Sequence, residues 1–189
     1  MIAQEALSIA RARLLLDNPF FGVLALRLAL QEDSSIKTLA VDGRTVFFNP
    51  DYVLSLEPKY QITALAHEVM HCVLEHISRT AGRDPGKWNR ACDYAENPLL
   101  KEAGFHLHPT WLFEQRFVGM SADEIYNQLP DDPQDKEAQC EVRAGAPGSE
   151  KSDELAVEWK LASIHAAKAA EAGATASGKI PGVLNAMIQ

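Results

Sequence analysis

The residues whose types and spacing could do chemistry are those from 67 to 71, which read HEVMH inside the apolar run LAHEVMHCVLEH. On a helix, side chains four apart stand one above the other, so His67 and His71 can offer two imidazole nitrogens to one metal ion. Glu68 lies about 100° further round the same helix, where it flanks such an ion and can take a proton from a water. Zinc held this way lowers the pKa of its water towards about 7 and polarises a peptide carbonyl, while the glutamate carries the proton to the leaving amine. The pattern reads as zinc-dependent peptide-bond hydrolysis, with His67 and His71 as metal ligands and Glu68 as general base.

A catalytic zinc keeps three protein ligands and one open position. The third is expected from WNRACDYAEN, where Asn89, Asp93 and Asn97 form a polar line beside the apolar stripe Trp88, Cys92, Ala95 and Leu99. Two antiparallel helices joined by a turn over roughly Arg79 to Asp84, with Gly82 in it, bring that line to the histidines. Asp93 is the expected ligand and Glu96 the rival carboxylate; Asn89 and Asn97 are expected to orient a ligand from behind. His76, about 140° from His71 on a continuing helix, is expected to face away from the metal. His106 and His108 read as a solvent-exposed loop pair, and Cys72 and Cys92 as buried small hydrophobes. Tyr94 or Tyr126 could donate to a developing oxyanion, with buried packing as the competing expectation. The thiolate of Cys140 could swing onto an open zinc position and block it.

The elements that must hold these residues follow from periodicity and punctuation. Residues 2 to 16 repeat Leu7, Ala10 and Leu14 at helical spacing, and Asn18-Pro19 should stop that helix. Phe20 to Leu30 is apolar throughout and reads as a buried helix, with a strand of alternating leucines as the alternative. TLAVDGRTVFFN, residues 38 to 49, predicts a hairpin on Asp42-Gly43 with positive φ at both central positions, and its open edge could pair with an extended substrate. Asn49-Pro50 opens a short helix to about Leu56, a longer one runs from about Gln61 to Ser78, and Asp84-Pro85 opens a third that breaks near Asn97-Pro98. Ser121 to Glu124 forms a capping box before Ile125. The expected organisation is an α+β domain over 1–130, mostly helical with a small β-hairpin or sheet. A mobile polar linker over 131–153 and a helical C-terminal extension over 154–189 follow it.

At 189 residues, 47 % hydrophobic and 23 % charged, the chain suits one compact domain. Such a domain needs no metal merely to hold it together, so a metal here is functional. The net charge of −8, with no basic run, argues against nucleic acid or an anionic membrane as partner. Three cysteines without a CxxC pair fit a reducing compartment, and the cytoplasm is the expected location. The opening MIAQEALSIARARLLL reads as neither a signal peptide nor a membrane span.

The runs LAHEVMHCVLEH, RDPGKWNRACDYAENPLL and GMSADEIYNQL, with NPFFGVLAL and DGRTVFFNPDYVLSL upstream, resemble the bacterial and phage putative metallopeptidase domain often found N-terminal to a von Willebrand factor A-like domain. The likeness covers roughly residues 8 to 130. It implies a zincin-like fold, zinc at His67 and His71, a general base at Glu68 and a third ligand at Asp93. It also implies a protein or peptide substrate, and a AAA ATPase or a von Willebrand factor A-like domain as partner. Glu96 stands where the resemblance leads one to expect an apolar residue, which leaves the third ligand open. The chain is expected to be either the N-terminal part of a longer protein or a short stand-alone member. The competing functional reading is a catalytically idle, zinc-stabilised interaction module for a AAA ATPase or a phage partner, and a third is a metal-free helical adaptor.

Overall fold

The computed structural model describes residues 2–80, 82–131, 140–142, 150–172, 180 and 182. Helix α1 (Ala3–Asp17) buries Leu7, Ala10 and Leu14 on one face and ends where Pro19 opens α2 (Pro19–Ala25). The two helices touch backbone to backbone: a Cβ on Gly22 would lie 2.2 Å from Leu15 Cα, so only glycine fits. The helix expected to run to Leu30 stops at Ala25, and Ala29–Glu32 forms strand β1 instead. The alternating leucines were the strand signal. What decides in their favour is a partner distant in sequence, since β1 pairs in parallel with β3 from Ala29↔Thr45 to Glu32↔Phe48.

Strands β2 (Leu39–Val41) and β3 (Thr45–Phe48) make the expected antiparallel hairpin. Its turn differs from the expectation. Gly43 alone has a positive φ, of 87°, and Asp42 instead accepts the Arg44 and Thr45 N–H groups at 2.8 and 2.7 Å through its side chain. Strand β4 (Cys140–Val142), inside the stretch read as a linker, pairs in parallel with β2, so the sheet order is β1-β3-β2-β4 and the β2 edge expected to be open is covered. Residues 132–139 and 143–149 of that stretch, and the Cys140 thiol, lie outside what is described.

Asn49 caps α3 (Pro50–Ser55) by accepting the Asp51 and Tyr52 N–H groups. Helix α4 (Pro58–Val73) begins a turn earlier than expected, because Pro58 fits the first helical position, and ends five residues earlier than Ser78. Helix α5 (Pro85–Glu102) is capped by Asp84 and continues through Pro98 without the expected break. Helix α6 (Ala122–Gln128) carries the capping box, and α7 (Glu150–Ala172) starts four residues before Glu154. Trp159, Ala162 and Ala166 of α7 enter the same core as α1, α2 and α4, and Trp159 Nε1 donates to Gly43 O at 2.9 Å. The architecture is α+β, helices packed around a small mixed sheet with α4 at their centre. Among the described residues no helix is long and apolar enough to cross a membrane.

Candidate metal centre

Because α4 is packed on all sides, its polar residues are buried with its apolar ones: His67, Glu68 and His71 are each 0 % exposed. The helix ends on a left-handed residue, Glu75, with φ of 57°. The Glu75 N–H donates to Cys72 O and the His76 N–H to His71 O, the paired bonds of a Schellman ending, which fold the chain back over the last turn. Trp88 Nε1 then fixes the returned strand by donating to His76 O at 3.0 Å. His76 therefore does not project away along a continuing helix as expected: its Nδ1 lies 3.2 Å from His71 Nδ1, at the ring edge opposite the Nε2 that faces Asp93. That expectation assumed a helix continuing to Ser78, and an ordinary glutamate at the reversal gave no glycine signal against it.

Helix α5 runs beside α4 and supplies the acidic half of the cluster. Asp93 Oδ1 lies 3.2 Å from His67 Nε2 and 3.7 Å from His71 Nε2. On the opposite edges of the same rings, Glu96 Oε1 lies 2.9 Å from His71 Nδ1 and 2.6 Å from His76 Nδ1, and Glu96 Oε2 lies 3.5 Å from His67 Nδ1. Asn97 makes its geometry plain: its Nδ2 donates to Leu112 O at 2.7 Å, so its Oδ1, 3.2 Å from His67 Nδ1, accepts from that ring. Asp93 and Glu96 thus both reach the histidines, one at the Nε2 edges and one at the Nδ1 edges.

With Nδ1 donating to Asn97, His67 presents Nε2 to a carboxylate oxygen, and two electron-rich atoms at 3.2 Å need a positive charge between them. A proton or a metal ion supplies it. Burial alone would lower the His67 pKa, yet the Glu96, Asp93 and Glu68 carboxylates raise it to about 10, so the ring takes the proton when no metal is present. Burial and the charge of His67 push His71 down to about 3, and burial holds His76 down to about 4 against the pull of Glu96. Burial likewise lifts the Glu96 carboxyl above its ordinary range. His71 Nε2 is buried with no hydrogen-bond partner and faces the same Asp93 oxygen. Two imidazole nitrogens and a carboxylate oxygen around one point form a donor set suited to a borderline divalent ion such as zinc. Two groups of three bring their ligand atoms within 4.8 Å of one another, His67, His71 and Glu96, and His71, His76 and Cys92, and neither includes Asp93.

The other residues singled out fall elsewhere. Asn89 is buried one turn before Asp93, not on a solvated face. Tyr94 OH donates to Glu114 at 3.0 Å, and Tyr126 OH accepts the Asp84 N–H at 2.9 Å. Cys72 and Cys92 are buried as expected, and burial raises both thiols well above their usual pKa. His106 is exposed, while His108 is half buried with its ring 4.8 Å from that of Tyr60.

Compared with known families, residues 3–179 match a family model described as a putative metallopeptidase domain. Neither the curated proteins nor the solved structures give a match. The matched span takes in α1 through α7, and so includes every residue of the cluster.

Proposed function

This chain belongs to the putative metallopeptidase domain family, and from that premise we propose that it is a zinc-dependent peptidase whose metal is held by His67, His71 and Asp93. The observation that carries the proposal is His67, whose Nδ1 is committed to Asn97 and whose Nε2 is aimed at Asp93 Oδ1, the oxygen that His71 Nε2 also faces. When bound, zinc supplies Lewis acidity, lowering the pKa of a water towards about 7 and polarising a carbonyl. The chain's own residues do the rest. Asn97 fixes the tautomer of His67, and the Glu96 charge favours a proton on the Nδ1 edge of His71, leaving Nε2 of each ring as a lone pair. Glu68 holds the proton taken from the attacking water on a carboxylate oxygen and delivers it to the departing amine nitrogen.

A second reading has one observation in its favour. His67, Glu68, His71 and Asp93 are all 0 % exposed, and a metal site closed to solvent is the form taken by structural zinc. Glu68→Gln separates the two. Under the peptidase reading the variant keeps zinc and loses at least a hundred-fold in peptide cleavage relative to the parent. Zinc bound by parent and variant alike, with no Glu68-dependent cleavage of a broad peptide library by the parent, would assign the metal to structure.

A further inference from the structure

Trp111, whose ring neighbours that of His67, also lines an open cleft of about 380 Å³ whose character differs from the rest of this acidic chain. Lys59, Lys101, His106 and His108 line it, and among the described residues no acidic side chain does. Aromatic rings form its floor: Tyr60 packs against His108 and Trp111 at centroid separations of 4.8 and 6.4 Å. The two ammonium groups are held at its rim, Lys59 Nζ 4.7 Å from the Tyr60 ring centre and Lys101 Nζ 4.5 Å from that of Phe113. Lys59 also pairs with Glu57 at 2.8 Å, outside the lining.

The cleft is tied to the centre. Thr63, one helical turn before His67, donates its hydroxyl to His106 O at 3.0 Å, and Trp111 donates Nε1 to Tyr52 OH at 3.2 Å. The Trp111 ring stands 6.5 Å from the His67 ring. Positive side chains over apolar rings, with the N-terminal end of α4 adding its partial positive charge, make a seat for an anionic group. Tyr60 precedes His67 by seven residues, which is about 10 Å along a helix and roughly three residues of extended peptide.

We propose that this cleft binds a carboxylate of the substrate, about three residues from the bond placed at the metal, through Lys59 and Lys101. The proposal rests on the peptidase reading and narrows it to peptides carrying a negative charge at that distance. Two sources offer the same chemistry, a free C-terminus and an acidic side chain.

Equilibrium binding to the full chain carrying Glu68→Gln, loaded with zinc, tests the proposal without turnover. The probes are N-acetylated Ala-Ala-Ala-Phe as the free acid, the same peptide amidated, and amidated Ala-Ala-Ala-Glu. At least one carboxylate probe should bind about ten-fold tighter than the uncharged amide. That preference should weaken with salt and fall several-fold in Lys101→Met or Lys59→Met, both exposed positions. Tight binding of the free acid alone assigns a C-terminus, of the glutamate peptide alone a side chain, and of both a cleft that accepts either. Equal binding of all three probes, or a preference untouched by both lysine variants, would overturn the proposal. Because binding is read apart from cleavage, a chain that binds carboxylates but never cleaves would refute the peptidase reading and leave the cleft standing.

Discussion

His67 shows most directly how single residues define this centre, since Asn97 and Asp93 place oxygen atoms at both of its nitrogens and demand a cation at one of them. His67, Glu68 and His71 were legible in the sequence because the four-residue spacing of a helix is a local rule. Asp93 was legible as one of two candidates, and Asn97 as its neighbour in a polar line. The pairing of His76 with Glu96 was not legible, because it depends on a chain reversal at a glutamate that carries no turn signal. The structure gives that pair a consequence at this scale. Removing the His76 ring takes away a neighbour of His71 Nδ1 and the group that holds Glu96 Oε1 beside it, so His76→Ala should weaken zinc binding about ten- to a hundred-fold while still reaching one zinc per chain at saturation. Competition with a chromophoric chelator measures this, and unchanged affinity would count against any role for the ring.

At the scale of elements, the helices and the β2–β3 hairpin were largely legible and the two outer strands were not. Proline at a first helical position and capping side chains at Asn49, Asp84 and Ser121 are local signals, and each marks an observed helix start. Strands β1 and β4 exist because β3 and β2 offer them a ladder, and β4 is separated from its partner by about a hundred residues, beyond the reach of any local pattern. The strained ending of α4 makes a prediction here. A non-glycine residue in the left-handed region costs roughly 1 kcal/mol, so Glu75→Gly should raise the melting temperature by about 2–4 °C. A lowered melting temperature would mean that the Glu75 side chain contributes more than its backbone costs. The docking of α7 makes another. Slight burial acts to raise the Glu158 carboxyl, but Arg44 and Arg27, at 2.9 and 2.7 Å, hold it below its ordinary range. A lowered carboxyl pKa stabilises the fold above the unfolded value, near 4.3, and the benefit fades as pH falls through the folded value. For so exposed a group it amounts to well under about 1 kcal/mol. Unfolding titrations should therefore show Glu158→Gln less stable than the parent at pH 6 and equal to it near pH 3; a constant difference across that range would assign the loss to packing.

At the scale of the whole molecule, three carboxylates and three imidazoles are enclosed between α4, α5 and the turn that joins them, and their charges must balance inside the fold. A bound divalent ion offsets most of this negative charge while it leaves the helices α1, α2 and α7 packed around α4, so metal removal should loosen the protein as well as silence it. Chelator in excess should lower the melting temperature, and added zinc should restore it. The central claim, that His67, His71 and Asp93 hold one metal ion, is tested most directly by elemental analysis of the purified chain after zinc loading and buffer exchange, with Asp93→Asn and Glu96→Gln treated alongside. One zinc per chain in the parent, retained in Glu96→Gln and lost in Asp93→Asn, is the predicted result. No zinc in the parent, or zinc lost from Glu96→Gln and kept by Asp93→Asn, would contradict the account.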